Sequence, residues 1–437
     1  MKRPVIITLL ILALVLVCMG IGAVAFFGIG ANSLFSNNSP FDRRNVSAQV
    51  EESKTLKVDP AKPVTLKVDS AAGSVTVTGG DVDTVQVKAV KTAYDSSEAR
   101  AEAELKTIQY SITQTGNTIT LKYELTKSMN FMNNVNSVDF IVTVPSETTV
   151  DIDTGTGEVS VTGVQGQAAI KNSFGDITVE RVDGALSAET NSGGINISSL
   201  AAGSGDVKLL SGFGTISMSQ VSGADVSAQS NSGKLDLENV RATKDMNLSS
   251  DFGNVTFANG SAGSLTVSTK SGSIDLSSVN VSGALVITND FGDIDLEQVN
   301  AKSYDLQTNS GSIAVDGAQG SVEAETGFGN ITVRNAENAT LQLNNKSGSI
   351  SFAGSLGEGP HTLHSDFGDI EITIPADSAL NVDLQTEFGK IRSDIPITIT
   401  LNGDVDEGHH AGTINGGGSQ LNASTKSGNV TIRSSAE

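Results

Sequence analysis

A short motif returns at a nearly constant interval over most of this 437-residue chain. The motif is a glycine, one variable residue and then isoleucine, valine or leucine, and it recurs about every 19 residues from residue 157 onward. A fixed period of this length, sustained over many units, is typical of a solenoid built from stacked coils. The repeated glycines are Gly157, Gly175, Gly193, Gly214, Gly233, Gly253, Gly272, Gly292, Gly311, Gly329, Gly348, Gly368, Gly389, Gly412 and Gly428.

Each unit contains two short segments in which apolar and polar residues alternate, as they do in half-buried strands. In the unit GDITVERVDGALSAETNS, Ile177 and Val179 are predicted to face inward from the first strand, and Leu186 and Ala188 from the second, with a corner at Val182. One unit alone buries almost nothing, but units stacked about 4.8 Å apart form parallel sheets with continuous apolar columns. The sequence therefore predicts an all-β fold, a parallel β-solenoid (β-helix).

The residue before the repeated glycine alternates between phenylalanine and serine, so a coil could hold one unit of about 19 residues or two units totalling 39. Asp251, Lys270 and Asp290 alternate in charge just before these positions, and 39-residue coils would stack like charges on each other. We therefore expect 19-residue coils, in which each phenylalanine ring is buried over the small corner of the next coil. The alternating residues are Phe174, Phe213, Phe252, Phe291, Phe328, Phe367 and Phe388, and Ser192, Ser232, Ser271, Ser310, Ser347 and Ser427.

A β-rich region with one helix precedes the repeats. Between residues 63 and 150, segments such as TLKVD, GSVTVTG and VDFIVTVP alternate apolar with polar residues. Near residues 97–110, Asp95 and Glu98 could form a capping box, and Ala101, Leu105 and Ile108 fall on one helix face. The prediction is a short N-terminal β-rich cap region carrying one helix, followed by solenoid repeats over residues 151–437.

The N-terminus predicts attachment to a membrane. Two basic residues precede an uncharged run from Val5 to Ala31, which is long enough, at about 1.5 Å per residue, to cross the roughly 30 Å core of a bilayer. An Ala-Val-Ala stretch at residues 23–25 leaves a cleaved signal peptide as the alternative. We expect a signal-anchor transmembrane helix over residues 1–31, a flexible tether over residues 32–62, and a body outside the cytoplasm, at the cell surface or in the periplasm.

Charge and cysteine content exclude several classes of protein. Lys and Arg together number 28 against 49 Asp and Glu, and the net charge of −21 disfavours binding to nucleic acid. The single cysteine, Cys18, lies within the apolar run, so we predict neither an internal disulfide nor a thiolate metal site in the body.

A family resemblance is carried by several segments in combination. They are GSVTVTG, the short helix, IVTVPSETTVDIDTGTGEVSV from Ile141, and the serial SGSI and FGDI turns. The strand-Pro-strand-Gly layout around Pro145 appears again in the segment from Ile372. From residue 63 to its C-terminus, the chain resembles the bacterial putative-adhesin domain family of unknown function. The resemblance implies a membrane-attached or secreted β-solenoid and supplies no functional residues.

Acidic turns are the first candidates for a metal site. Two DFGD turns bring together Asp290 with Asp293, and Asp366 with Asp369, and calcium requires six to eight oxygen ligands. The place after the repeated glycine, however, holds Asp, Asn, Ser, Thr, Lys or Glu interchangeably. This variation favours solvent-facing turn residues over calcium ligands.

The remaining candidates also fail to form a site. His361, His364, His409 and His410 lie in irregular parts of the repeat and are predicted to be exposed loop residues, because no cysteine is available to complete a zinc site. No serine lies in a G-x-S-x-G elbow, and the aromatic and basic residues that accompany the carboxylates of polysaccharide-cleaving β-helices are scarce. We predict no catalytic, cofactor-binding or metal-binding residues.

These observations favour a non-enzymatic cell-envelope surface protein, an adhesin or a rigid scaffold rod outside the membrane. The alternatives are a glycan- or protein-binding module, an accessory subunit of an envelope-stress sensing system, and a polysaccharide-acting β-helix enzyme. The expected partners are the membrane, through the N-terminal helix, and an envelope protein or glycan, while the oligomeric state stays open. A glycan-binding face would need clustered aromatic residues, and the tyrosines are Tyr94, Tyr110, Tyr123 and Tyr304.

Overall fold

The computed structural model describes residues 46–125, 135–399 and 407–435, and these residues form a β-solenoid of two parallel sheets. Each coil contributes one strand to sheet A and the next strand to sheet B, so strands two apart in the chain pair with each other. The inward side chains of both sheets form one apolar core that runs the length of the solenoid. The predicted parallel β-solenoid is therefore confirmed.

The described residues form 35 strands and one helix. The N-terminal strands and the helix are β1 (Val46–Lys57), β2 (Val64–Ser70), β3 (Val75–Gly80), β4 (Thr84–Asp95), α1 (Glu98–Leu105), β5 (Tyr110–Thr115), β6 (Thr118–Tyr123), β7 (Ser137–Pro145), β8 (Thr148–Thr156) and β9 (Val159–Thr162). The central strands are β10 (Ala168–Phe174), β11 (Ile177–Asp183), β12 (Leu186–Ser192), β13 (Ile195–Ala201), β14 (Val207–Phe213), β15 (Ile216–Gly223), β16 (Val226–Ser232), β17 (Leu235–Ala242), β18 (Asp245–Phe252), β19 (Val255–Ala262), β20 (Ser264–Ser271), β21 (Ile274–Val281), β22 (Ala284–Phe291), β23 (Ile294–Glu297), β24 (Ser303–Ser310), β25 (Ile313–Asp316) and β26 (Gln319–Phe328). The C-terminal strands are β27 (Ile331–Ser347), β28 (Ile350–Leu356), β29 (His361–Phe367), β30 (Ile370–Ile374), β31 (Leu380–Phe388), β32 (Ile391–Ser393), β33 (His409–Ile414), β34 (Ser419–Ser427) and β35 (Val430–Ser434).

The register of the sheets decides the size of a coil. Ile177 pairs with Ile195 in sheet A, and Phe174 pairs with Ser192 in sheet B, which in turn pairs with Phe213. Each phenylalanine coil thus has a serine coil on the next rung. The coil is one repeat of about 19 residues, as expected, and a 39-residue coil is excluded.

The predicted corner at Val182 is present, and it depends on the residue before it. Arg181 adopts a left-handed conformation (φ 52), which bends the chain and lets Val182 enter the core at 1% exposure. The inward residues Ile177, Val179 and Leu186 are buried as expected. Several later coils bend at the same place with Ser199, Gln220, Asn239, Asn259, Ser278 and Gln298 in the same conformation.

At the N-terminal end, the order of the coils in space differs from their order in the chain. The first coil, β2 and β3, lies between the coil of β6 and β7 and the coil of β8 and β9. The chain therefore leaves the first coil, forms the coil beyond it, and crosses back after Pro145. The solenoid begins at Val64, so the region predicted as a separate β-rich part over residues 63–150 already contains full coils.

The C-terminal end shows the same arrangement in reverse. The last coil, β34 and β35, lies between the coil of β29 and β30 and the coil of β31 and β32. After Ile374, at Pro375, the chain passes over one coil position and forms the coil of β31 and β32. The last coil, β34 and β35, later occupies the position that was passed over. Both chain-terminal coils are thus held between two neighbours.

Antiparallel strands cover both ends of the stack. At the N-terminal end, β5 pairs with β6, β4 pairs with β7, and β1 pairs with β4. At the C-terminal end, β33 pairs with β31. Helix α1 packs on β1 and β4. These additions occupy edges that would otherwise expose unpaired backbone groups.

Three expectations for local structure are corrected. Residues 46–57, predicted as part of the tether, form strand β1 because β4 offers an edge that pairs with the whole segment. The capping box does not form, since Ser97 is the N-cap and the Asp95 carboxylate accepts from the Ser96 N–H instead. Gly412 is not a coil corner, because it lies in the antiparallel strand β33.

The repeated glycines form a column in which each residue lies against the previous one. A Cβ atom added to Gly292 would lie 2.2 Å from the carbonyl oxygen of Gly272, and one added to Gly311 would lie 2.0 Å from that of Gly292. Gly292 also has φ +143, a conformation that side chains rarely adopt. The motif therefore requires glycine for two independent reasons.

A column of buried polar side chains lies three residues before these glycines. Asn289, for example, donates from its amide to the carbonyl oxygen of Gly272 in the neighbouring coil at 2.9 Å. This pattern satisfies carbonyl groups at the inner side of the corner, where an apolar side chain would leave them without a partner. The donors are Asn172, Thr190, Ser211, Ser230, Ser250, Thr269, Asn289, Thr308, Thr326, Asn345, Ser365, Thr425 and Thr386.

The predicted transmembrane helix over residues 1–31 and the first part of the tether lie outside the described residues. Within the described ranges, no helix is both long and apolar enough to cross a bilayer. The membrane anchor stays a prediction from the sequence.

His361 was predicted to be exposed and is fully buried in sheet B, between Leu341 and Leu421 in the register. Its Nδ1 accepts from the Leu341 N–H at 3.4 Å, and its Nε2–H donates to the Gly357 carbonyl oxygen at 3.2 Å. Burial lowers the pKa of His361 below its ordinary value. The prediction was wrong because the pairing of β29 with both neighbouring coils draws the irregular segment into the sheet.

We expect Gly292→Ala to lower the free energy of unfolding by about 2–3 kcal/mol, because the new Cβ adds backbone strain and meets the Gly272 carbonyl. The measurement is denaturant unfolding of the full-length protein. Gly80→Ala is the matched control, since a Cβ there has nothing within 4 Å. Equal losses in the two variants would contradict the stacking role of the column.

The buried histidine predicts a specific pH dependence. Because the pKa of His361 is lowered in the folded state, the unfolded chain takes up a proton first, below about pH 6.5, and stability falls as the pH falls. His361→Leu should lose this component of the pH dependence. Unfolding at pH 7.5 and 5.5 tests it, and an unchanged difference between the two pH values in the variant would contradict it.

Candidate functional site

Seven phenylalanine side chains line one edge of the solenoid, and all of them are exposed. Their exposed fractions run from 50% for Phe174 to 75% for Phe388, and Phe291 is 63% exposed. We name this row the Phe ridge; it consists of Phe174, Phe213, Phe252, Phe291, Phe328, Phe367 and Phe388. The expectation that these rings are buried in a corner between coils was wrong.

The reason lies at the corner itself. Strand alternation would place Phe291 inward, two residues after the buried Asn289, but the chain already turns at the Phe-Gly pair. The space inside the corner is occupied by the Asn289 amide, which bonds to the Gly272 carbonyl. A ring therefore has no room inside and projects outward.

Serine coils separate the members of the Phe ridge. Phe291 pairs with Ser271 on one side and with Ser310 on the other. Successive coils lie about 4.8 Å apart, so successive rings lie about 9.6 Å apart with a small residue between them. We name these positions the Ser gaps; they are Ser192, Ser232, Ser271, Ser310, Ser347 and Ser427.

Charged residues accompany the Phe ridge on its sheet B side. Lys270 Nζ lies 2.9 Å from Asp251 Oδ1 on the next coil, and Lys426 Nζ lies 2.6 Å from Asp366 Oδ1. The lysine holds the pKa of Asp366 below its usual value, and the carboxylate raises the pKa of Lys426. The expected alternation of charge between neighbouring coils is thus present. Acids precede four of the seven rings, and lysines precede three of the six serines.

Aspartates of the acidic turns accept hydrogen bonds from backbone N–H groups. Asp293 Oδ1 accepts from the Ser312 N–H at 2.7 Å, and Asp369 Oδ1 accepts from the Asn429 N–H at 2.7 Å, in each case on the next coil. Asn254 accepts from the Ser273 N–H in the same way. Short side chains with an acceptor fill this role, whereas Lys234 and Lys390 at the same position cannot, so the hydrogen bond is not required in every coil. Within the described ranges, no group of three or more His, Cys, Asp or Glu residues could hold a metal ion.

The other histidines and the tyrosines are dispersed. His364 bonds to Ser424 at 2.8 Å, and His409 lies 2.9 Å from Asp383. Tyr304 is 1% exposed, and its hydroxyl donates to the Val299 carbonyl at 2.6 Å. Tyr123 is also buried, so the tyrosines do not form a glycan-binding face.

Two clefts lie away from the Phe ridge. One of about 620 Å³ lies beside the Pro145 corner and has an acidic rim that includes Asp81, Asp83 and Glu147. Another of about 260 Å³ is a shallow polar groove on sheet A that includes Asn196 and Asp236. Neither lining contains a histidine, cysteine or tyrosine. The Phe ridge is therefore the best candidate for a functional surface.

The alternation of phenylalanine with serine identified this row of residues in the sequence, but it did not show that the rings point outward. The signal for exposure was the buried polar residue three positions before each glycine, since a Thr, Ser or Asn there already fills the corner. Among the described residues, the exposed large apolar side chains outside the Phe ridge are Val46, Val50 and Ile141.

A family profile described as Toastrack DUF4097 matches the chain over residues 66–258, 175–328 and 259–433. The three matches overlap and together span nearly all of the solenoid. No curated protein sequence matches the chain.

Two solved structures are similar to the chain. A "putative cell adhesion protein" from Clostridium sporogenes is 11% identical, with 89% of this chain and 100% of that chain covered and a TM-score of 0.19. A "putative adhesin" from Bacteroides fragilis is 13% identical, with 70% and 97% covered and a TM-score of 0.26. Likenesses this weak carry no weight for the fold or the function of the chain.

Because the ring of Phe291 is 63% exposed, we expect Phe291→Ser to change the free energy of unfolding by no more than about 0.5–1 kcal/mol. Phe257→Ser is the matched comparison, because Phe257 is fully buried and its loss should cost about 3–5 kcal/mol. Denaturant unfolding of the full-length variants measures both. Similar losses for the two would show that the ridge rings are structural.

Proposed function

The chain belongs to the Toastrack DUF4097 family, and from this premise we propose that it is a non-enzymatic surface protein whose Phe ridge is a contact surface. Residues 1–31 anchor it in the membrane, and the acidic solenoid stands outside the cytoplasm as a rigid rod. The ridge makes the contact and the coils below it hold the ridge straight.

The observation that carries this proposal is the exposure of seven phenylalanines at every second coil. A row of seven exposed aromatic rings along one edge forms an extended, regularly spaced apolar surface, and such surfaces mark sites of interaction. The backbone that carries each ring is fixed at a strand end, so little backbone entropy is lost on contact, and aromatic residues are enriched at the centres of interfaces. The fold itself needs no ring at these positions, since serine occupies the same place in alternate coils.

The rod geometry suits a passive contact function. The two sheets present short polar side chains to solvent, and the net charge of −21 keeps the body soluble. Among the described residues, the cleft beside Pro145 and the groove on sheet A have no aromatic residue in their linings, whereas polysaccharide-cleaving sites combine carboxylates with aromatic groups. These features support a surface protein over a polysaccharide-acting enzyme.

Retention on surfaces tests the contact function. Liposomes carrying the full-length chain are passed over purified cell walls, over a bare lipid bilayer, and over a bilayer carrying the same chain. We expect retention on at least one of these surfaces, and a loss of about tenfold or more in the triple variant Phe252→Ser, Phe291→Ser and Phe328→Ser, because these rings form the centre of the ridge.

The matched control is Ile141→Ser, which removes an exposed apolar side chain that is 43% exposed on β7, away from the ridge. It should leave retention unchanged. Retention that survives in the triple variant, or that is lost equally in the control, would contradict the assignment of the contact surface to the Phe ridge.

A further inference from the structure

We infer that the partner of the Phe ridge is the Phe ridge of a second copy of this chain, running antiparallel, with the rings of each copy seated in the Ser gaps of the other. This inference rests on the proposed contact function and names its partner. It depends on three properties of the edge: its spacing, its charges and its area.

The spacing of the edge is complementary to itself. Rings and gaps alternate strictly from Phe174 to Phe388, because each phenylalanine coil has serine coils beside it. The distance between rings is set by the backbone hydrogen bonds of the sheets, about 9.6 Å for two coils. Both copies have the same distance between rings. When one copy is offset by one coil, every ring of one copy therefore lies opposite a Ser gap of the other along the whole overlap.

The charges select the antiparallel direction. An acidic residue precedes four of the seven rings and a lysine precedes three of the six Ser gaps, and these residues end strands of sheet B on that side of the edge. A two-fold axis across the rods puts the sheet B sides of both copies together, so the acids before the rings can face the lysines before the gaps. In a parallel pair, the sheet B sides lie apart and the charged residues do not meet.

The charges also select one register. When the two-fold axis passes between the coils of Ser310 and Phe328, Asp251 faces Lys426, Asp290 faces Lys346, and Asp366 faces Lys270 of the other copy. This places every lysine of the Ser gaps opposite an aspartate, and the symmetry repeats each pair. Shifting the axis by one coil in either direction leaves fewer such pairs.

Pairs within each copy do not remove this complementarity. Lys270 and Lys426 already contact Asp251 and Asp366 on adjacent coils, but their side chains are 61% and 53% exposed. An ammonium group has three donors and can bond to carboxylates on both copies. The local pairs also keep the edge from repelling a second copy that carries the same net charge.

The area is that of a specific interface. In this register five rings from each copy, Phe252, Phe291, Phe328, Phe367 and Phe388, lie in the overlap. A phenylalanine side chain buries 150–250 Å² when fully covered, so these partly exposed rings and the gaps that receive them bury roughly 1,000–2,000 Å² together. Specific interfaces begin near about 1,000 Å².

Association of the full-length chain in detergent is the first test. Sedimentation should show a dimer at about 10 µM, and the triple variant Phe252→Ser, Phe291→Ser and Phe328→Ser should associate about a hundredfold more weakly. Ile141→Ser should associate as the unchanged chain does. Both variants keep residues 1–31, so association through the membrane segment would appear equally in all three proteins.

Cross-linking tests the direction and the register. In a Cys18→Ser background, Phe252→Cys and Ser427→Cys are made separately, mixed, and treated with a short bismaleimide. Phe252 of one copy faces Ser427 of the other, so a covalent dimer should form in the mixture, whereas each variant alone should form no covalent dimer because its two cysteines lie seven coils apart, about 34 Å. Phe252→Cys mixed with Ser192→Cys is the control and should not cross-link.

A monomeric full-length chain, or a dimer that the triple ridge variant forms equally well, would overturn pairing through the ridge. Stronger cross-linking in the Ser192→Cys control would overturn the register. The proposed contact function is tested separately. If the unchanged chain is monomeric but is retained on cell walls, and the triple variant abolishes that retention, the Phe ridge is a contact surface and its partner is not a second copy.

Discussion

The tight stacking of one glycine on the next determines the rest of the structure. Each coil turns at a glycine whose Cβ position is taken by the carbonyl of the previous glycine, as the 2.2 Å approach at Gly292 shows. This contact fixes the height of each coil and the plane of its turn. The inward Asn, Thr or Ser three residues earlier then bonds to that carbonyl, and the residue directly before the glycine is left outside.

Much of the fold follows from the repeat, because stacking of coils depends only on local pattern. The period gives the coil length, the alternation gives the inward residues such as Ile177 and Leu186, and the charges of Asp251 and Lys270 decide between one and two units per coil. The direction of the Phe ridge could not be read from alternation alone, since it depends on where the chain leaves the strand. Asn289 and its equivalents contained that information.

The order of the coils at the two ends could not be predicted from the repeat. Periodicity shows that a segment forms a coil, but any coil can stack on any other, because all present the same glycine corner and the same apolar columns. The two prolines at the crossovers, Pro145 and Pro375, were visible as a repeated layout without revealing that a coil is skipped there. Strand β1 was missed for a related reason, since its structure depends on the edge of β4.

Placing the chain-terminal coils between neighbours changes how the solenoid can open. In a simple stack, the first and last coils have one neighbour each and separate most easily. Here β2 and β34 each pair on both sides, and the outermost parallel coils are covered by antiparallel strands. The chain-terminal coils are therefore held by as many backbone ladders as a central coil, although β32 at the C-terminal end of sheet A pairs only with β35.

The alternation of phenylalanine and serine along the row of corners determines how far apart the rings lie. If phenylalanine stood at every coil, the rings would lie about 4.8 Å apart, in contact with each other, and would cover one another's faces. With serine between them, each ring is separated from the next by a gap wide enough for another ring, and both of its faces are open to solvent. Since serine and phenylalanine are equally compatible with the corner, packing within the coil gives no reason for the alternation. The proposed contact function supplies a reason, because a surface that docks on the ridge can fill the gaps.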